Sequence, residues 1–314
     1  MGEDTATTGG AAGGRRPSTF VISITPFDRE GRLDETALRA HLRRMGAAGI
    51  GVYVGGGGSG EGFTLSAAEM RTVLDVAAEE LGGKVPVRAM GTEPHSAREM
   101  IEFVAVARRS GIDAAQIYSL DIGHGHQPVA REIETYLTDV LESSELPVVL
   151  STHQSVGYRI PIDLIAGLVH RFDHVIGVNC SHADLSYLAQ LVDAVGERVD
   201  VHVGGPAQTL SALSLGAHGF LSSEGNLAPQ LCTSVLQRYT AGDLAGVFDR
   251  FGRLLRLHGS FLASGGIRAT KAYLHQRGLP GGFPRKPQLP VSADTLAQIT
   301  RVVDDLGIPG IEGW

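Results

Sequence analysis

TFVISITPFDREGRLDETALRAHLRRMGAAGIGVYVGG, residues 19–56, starts and ends in a short apolar run with a helical pattern between. TFVISIT (19–25) and GVYVGG (51–56) are rich in β-branched and aromatic residues and suit buried strands. The middle, DETALRAHLRRMGAAG, has an N-cap residue in front, apolar positions at helical spacing and glycine behind. Strand, helix and strand in that order form a parallel crossover unit. Such near-continuous apolar strands need cover on both faces.

The unit recurs along the chain. Further strands are expected at VPVRAMG (85–91), AAQIYSL (114–120), PVVLST (147–152), VIGVNC (175–180), VDVHVGG (199–205) and HGFLSS (218–223). Amphipathic segments such as SAAEMRTVLDVAAEELGG lie between them. Eight strand–helix units specify an α/β fold, a (β/α)8 TIM barrel over residues 18–240. The rival, a doubly wound open sheet, would carry a dinucleotide-binding glycine fingerprint after its first strand, and none is there. Beyond residue 240 the strands stop. DLAGVFDRFGRLLRLHGSFLA, IRATKAYLHQRG and SADTLAQITRVVDDLG are helical, with GLPGGFPRKPQLP as a connector, so 241–314 is expected to be a C-terminal helical appendage. Residues 1–17, MGEDTATTGGAAGGRRP, lack an apolar core and are expected to be a disordered tail, not a signal peptide.

Composition narrows the function. The chain has 314 residues, is 43% hydrophobic, and carries a net charge of −7 with both signs interspersed. That balance argues against nucleic acid or a membrane surface as partner and leaves a small-molecule substrate. No apolar run approaches the ~20 residues of a membrane span. Two cysteines, Cys180 and Cys232, give no disulfide framework and suit a reducing cytoplasm.

In such barrels chemistry sits at the C-terminal ends of the strands. His95 follows the third strand, His124 and His126 the fourth, His153 the fifth, and Cys180 with His182 the sixth; His202 lies within the seventh. Histidine titrates near neutrality and ligates metals, so a convergent set suits proton transfer or a metal site. Against this, His124 and His126 sit among glycines, as in a polar loop, and Cys180 reads as a small buried hydrophobe. Glu224 adds a carboxylate after the eighth strand, and Asn226 is expected to cap the helix that follows.

ITPFDREGRLDETALRAHLRRMGAAGI, followed by GGGSGEGFTLS, resembles the opening of the dihydrodipicolinate synthase / N-acetylneuraminate lyase family. The likeness continues through ELPVVL, VIGVN with ADL, LSLGAHGFLSSEGNLAPQL and GGIRATKAYLHQRGLP, and so covers most of residues 19–306. The resemblance implies Schiff-base aldolase or dehydratase chemistry on 2-oxo acids, no cofactor, and a homotetramer assembled as a dimer of dimers. It also implies a lysine at the end of the sixth strand, where this chain has Asn179. An amide cannot form an imine. The chain's three lysines, Lys84, Lys271 and Lys286, lie before the third strand or in the appendage. Ser151 stands where the family has a proton-relaying tyrosine, and Ser155 or Val156 where it has a carboxylate-binding arginine; Tyr158 or Arg159 could lean back to compensate. YSLDIGHGHQP replaces the turn whose tyrosine reaches a neighbouring site. The glycine loop survives, with Ser59 at the hydroxyl position and Glu61 expected to support the loop.

The expectation is a lyase that makes or breaks a C–C or C–O bond of a small carboxylated or 2-oxo-acid-like substrate without a Schiff base. Asn179 and Ser59 would orient substrate, and His153 with His124 or His126 would move protons. Gly57, Gly58, Ser59, Ser151, Tyr158 and Glu224 would bind it. Two alternatives stand beside this. One is a metal-dependent lyase holding a divalent ion with His124, His126, His153 and His182. The other is a catalytically silent metabolite-binding barrel. A homo-oligomer, tetramer or dimer, is expected in each case.

Overall fold

The structure, a computed structural model, describes residues 16–314, so most of the expected N-terminal tail lies outside the described residues. Strands and helices alternate from the start: β1 (Ser18–Ile22), α1 (Glu35–Ala47), β2 (Gly51–Val54), α2 (Ala67–Leu81), β3 (Val87–Ala89), α3 (Ala97–Arg109), β4 (Ala114–Ile117) and α4 (Ala130–Ser143). The second half repeats the pattern with β5 (Val148–His153), α5 (Ile162–Arg171), β6 (Val175–Ser181), α6 (Leu185–Val195), β7 (Asp200–Gly204), α7 (Thr209–Ser214), β8 (Gly219–Ser222) and α8 (Pro229–Thr240). All eight strands pair in parallel with their sequence neighbours, and β1 closes on β8. The fold is the TIM barrel that the strand–helix repeat specifies. Four more helices follow: α9 (Leu244–Ala263), α10 (Ile267–Gln276), α11 (Ala293–Asp305) and α12 (Ile308–Glu312). No helix among the described residues is long and apolar enough to cross a membrane.

Local chemistry explains the elements. The Asp34 carboxylate accepts the Ala37 N–H at 2.9 Å and so caps α1, while Ser66 and Glu69 form a reciprocal capping box on α2. Helix α1 buries Leu38, Leu42 and Met45 against the barrel, each contributing roughly 1.5–3 kcal/mol. Most strands are shorter at their C-terminal ends than the apolar runs suggest. Residues after Ile22, Val54, Ala89 and Ile117 leave the ladder to build the loops of the active face.

Asn226 does not cap α8, contrary to expectation. Its Oδ1 accepts from the Ile24 N–H at 2.9 Å and lies 3.0 Å from His41 Nε2. Its Nδ2 donates to the carbonyls of Ile22 and Ser223. One buried amide thus ties the end of β1, helix α1 and the β8 loop together. The C-terminal helices pack on the barrel through α9 against α8 and α12 against α8.

Candidate active site

Alternation along β5 and β6, paired in register, sets what reaches the barrel axis. Ser151 stands beside Asn179 and His153 beside Ser181, and all four face inward. The residues between them, Thr152 and Cys180, turn to the helices and are fully buried. The inward set opens into a cavity of about 400 Å³ at the C-terminal face, and among the described residues no lysine or arginine lines it.

A polar network forms its floor. Asn179 Nδ2 donates to Tyr53 Oη at 3.0 Å and to Gln116 Oε1 at 2.5 Å. Arg88 donates to the same phenol oxygen at 3.0 Å and lies 4.2 Å above the centre of the Phe20 ring. Asn179 Oδ1 is buried without a partner. An unpaired buried acceptor costs roughly 1–3 kcal/mol, which a substrate donor would recover. Below this floor His202 hydrogen-bonds Ser18 Oγ at 2.8 Å, and burial together with the Arg88 charge pushes its pKa down to about 3.

His153 stands at the top of β5. Ser155 Oγ donates to Glu93 Oε1 at 3.1 Å, which leaves its oxygen to accept from His153 Nδ1 at 2.5 Å. The Ser155 N–H also points at Nδ1, at 3.3 Å. With the Ser155 hydroxyl donated to Glu93, the tautomer that satisfies the shorter Oγ contact carries its proton on Nδ1, at the expense of the longer N–H contact, and leaves Nε2 as a base. Desolvation holds the imidazole below its ordinary pKa, against the pull of Glu93.

The β8 side of the cavity carries a second pair that the sequence reading missed. His258, on α9, has Nδ1 2.8 Å from Glu224 Oε1, and both residues line the cavity. Ser222 Oγ donates to the other carboxylate oxygen at 2.8 Å. The Glu224 hydrogen bond raises the His258 pKa above its ordinary value, against the effect of burial.

Glu61 supports the glycine loop from behind. It is fully buried with φ +50°, a left-handed conformation rare outside glycine. Lys271 Nζ pairs with its Oε1 and donates to the carbonyls of Thr25 and Phe283, while the Arg285 N–H binds its Oε2 at 2.9 Å. Burial pushes Lys271 down to about 8. This lysine lies at the active face, yet it is committed to the loop and is not among the residues lining the cavity.

Of the expected site residues, the cavity gathers His153, Asn179, Ser151 and Glu224. Ser59 sits one step behind, with its Oγ 2.8 Å from Ser223 Oγ, which does line the cavity. Gly57 and Gly58 lie outside the lining, and the Gly57 N–H is taken by the Gly91 carbonyl.

Other expectations need correction. His124 and His126 are exposed on a turn where Gly123, His124 and Gly125 all have positive φ, which carries both rings outside the cavity lining. His182 lies behind β5, bonded to Thr152 Oγ1 at 2.9 Å and packed on the Tyr187 ring. The four histidines expected to hold a metal therefore do not converge; among the described residues no three histidine, cysteine or acidic side chains do. Tyr158 does not lean into the cavity, because its hydroxyl donates to the Leu120 carbonyl at 2.9 Å. Arg159 is held away by Asp184 at 2.7 Å.

The dihydrodipicolinate synthetase family model matches residues 17–306. The chain belongs to this family. A 4-hydroxy-tetrahydrodipicolinate synthase of Methanopyrus kandleri is 29% identical over 288 residues, covering 91% of this chain and 94% of that protein. The synthase of Mesorhizobium japonicum is 27% identical over 298 residues, with 92% and 98% covered. Among solved structures, the synthase of Methylacidiphilum fumariolicum superposes with a TM-score of 0.85 at 24% identity, covering 95% of this chain and 99% of that one, and shows the fold. Members of the family are lyases, and the chain is a lyase of that family. Its glycine loop, the buried Glu61 and Asn179 all lie in the matched region.

Proposed function

We propose that the chain makes or breaks a C–C or C–O bond of a small carboxylated or 2-oxo-acid-like substrate without forming a Schiff base. The observation that carries this reading is the cavity floor, where an amide with an unpaired Oδ1 stands and, among the described residues, no lysine lines the space. Asn179 orients a substrate hydroxyl or enol by accepting its proton in a hydrogen bond. Arg88, through Tyr53, keeps the floor electropositive for the oxygen that gathers charge. His153 Nε2 takes the proton from a hydroxyl or from the carbon next to a carbonyl. Ser181 and Ser223 supply hydroxyl donors for a carboxylate. No cofactor enters this chemistry. We also propose that the protein works in the cytoplasm as a homo-oligomer; light scattering that finds a monomer would remove that part.

The test is a panel of 2-oxo acids and their aldol products, followed by proton NMR with and without borohydride. Turnover should survive borohydride, and His153→Ala or Asn179→Ala should lower it by about 10²-fold or more. Borohydride inactivation with an adduct on a lysine would overturn the reading. Absence of any turnover or ligand binding to the cavity would favour a silent barrel.

A further inference from the structure

We infer that His258, oriented by Glu224, is the proton donor of this active site and works across the cavity from His153. The inference rests on the reading of the site as a non-covalent lyase, and it brings in a residue from the C-terminal helices, outside the eight strand–helix units.

The geometry carries it. His258 reaches from α9 to the cavity rim, and its Nδ1–H donates to Glu224 Oε1 at 2.8 Å. Ser222 Oγ and the rigid loop after β8 fix that carboxylate, which is 7% exposed. With Nδ1 held by the carboxylate, Nε2 is the nitrogen left for a substrate. Glu224 is the charged group that faces His258. His153 faces Glu93 and, from behind β5, His182. Both active-face imidazoles have a carboxylate nearby, but His258 touches Glu224 directly at 2.8 Å, whereas His153 is 3.9 Å from Glu93 with Ser155 between them, and there desolvation outweighs the charge. Titratable pairs pushed apart in this way divide into acid and base.

The chemistry balances without a further reactant. In enolisation of a 2-oxo acid, the C3–H bond breaks and its proton goes to His153 Nε2. The electron pair forms the C2–C3 double bond, and the carbonyl oxygen takes the proton of His258 Nε2. In aldol cleavage His153 takes the substrate hydroxyl proton and the C–C bond breaks. Its electron pair forms the enolate, which His258 protonates. Without an imine to hold the electron pair, the carbonyl oxygen needs such a donor. Glu224 is the positioning residue, since it acts through the imidazole.

Two readouts test this on the full-length protein. The first needs no substrate: 15N-histidine NMR titration, with His258→Gln to assign the signal. The His258 ring should titrate above the ordinary histidine range, and Glu224→Gln should bring it down. Titration at or below the ordinary range, or insensitivity to Glu224→Gln, overturns the pair. The second is deuterium exchange at C3 of pyruvate and 2-oxobutyrate in D2O. His258→Gln should slow it by about 10²-fold or more and remove the alkaline limb of the pH profile. Glu224→Gln should move that limb to lower pH, and Glu224→Asp should restore part of the shift. Exchange in His258→Gln at the wild-type rate, with an unchanged profile, overturns the proposal while leaving the lyase reading intact. A wild-type protein that exchanges neither probe, with His258 titrating as expected, counts against 2-oxo acids as substrates and supports the pair.

Discussion

Placing a lysine at position 179 tests the account of the cavity floor most directly. Asn179 is 2% exposed, and its Nδ2 and Arg88 Nη1 are each 3.0 Å from Tyr53 Oη. An ammonium at the Nδ2 position would therefore lie no more than about 6 Å from the guanidinium. At an effective dielectric of about 20, two like charges at that distance repel by about 3 kcal/mol. That lowers a lysine pKa from about 10.4 to about 8, and burial adds to the shift. Asn179→Lys should thus carry a usable fraction of neutral amine near pH 8. Incubated with pyruvate and borohydride, it should gain a reduced pyruvyl adduct at position 179 in intact-mass and peptide spectra, whereas the wild type gains none. Adding Arg88→Met should move the midpoint of adduct formation to higher pH by about two units. A wild-type chain that is trapped as readily as Asn179→Lys would show that another lysine makes the imine. A midpoint that ignores Arg88→Met would show that the floor carries no charge coupling.

Three further outcomes follow from buried groups. His41 and His202 have folded pKa values of about 3 against about 6.5 unfolded, so below about pH 6.5 the unfolded chain binds more protons and the fold loses stability as pH falls toward 3. The loss should be about 4 kcal/mol between pH 7 and pH 5 for the two together, read by urea denaturation, and a pH-independent midpoint would refute it. Lys271→Met leaves the Glu61 carboxylate buried without its cation and should cost about 3–5 kcal/mol; Lys271→Met with Glu61→Gln should recover part of it, and additive losses would contradict the pairing. At Gly62 an added Cβ would lie 2.1 Å from the Gly55 carbonyl oxygen. Gly62→Ala should therefore displace the glycine loop and lower the melting temperature, and an unchanged melting temperature would show that the loop is looser than its geometry.

The barrel was legible because each strand declares itself twice, by an apolar run and by the capped amphipathic helix after it. The site was less legible because sequence places a residue on a face without fixing which way it points. His153 and His182 both follow inward-reaching strands, yet His153 continues the parity of Ser151 while His182 shares that of Cys180 and turns outward. Parity counted from Asn179 would have sorted this pair. The turn at His124 and His126 was beyond that rule, since three successive positive φ values depend on how the loop closes. His258 carried no strand-end signal at all. It is one polar residue in an otherwise amphipathic helix, and only the packing of α9 brings it to Glu224.

That packing changes what the C-terminal helices are for. In chemistry that stores the electron pair in an imine, one strand-borne lysine can hold substrate and accept charge from a single position. With an amide there, the two tasks separate. A floor without a nucleophile can orient the substrate, but protons must come and go from groups whose affinities differ. Two histidines within one desolvated barrel wall would share an environment and titrate together. Drawing one from β5, where burial lowers its affinity for a proton, and the other from α9, where Glu224 raises it, sets base and acid apart within a single cavity. Helix α9 is then part of the site and not an appendage to it. A variant that loosens α9 without touching the barrel, such as Leu257→Ala in its buried face, should lower proton transfer from the His258 side while leaving the His153 limb of the pH profile in place. Equal loss of both limbs would show that the helix serves only to hold the barrel together.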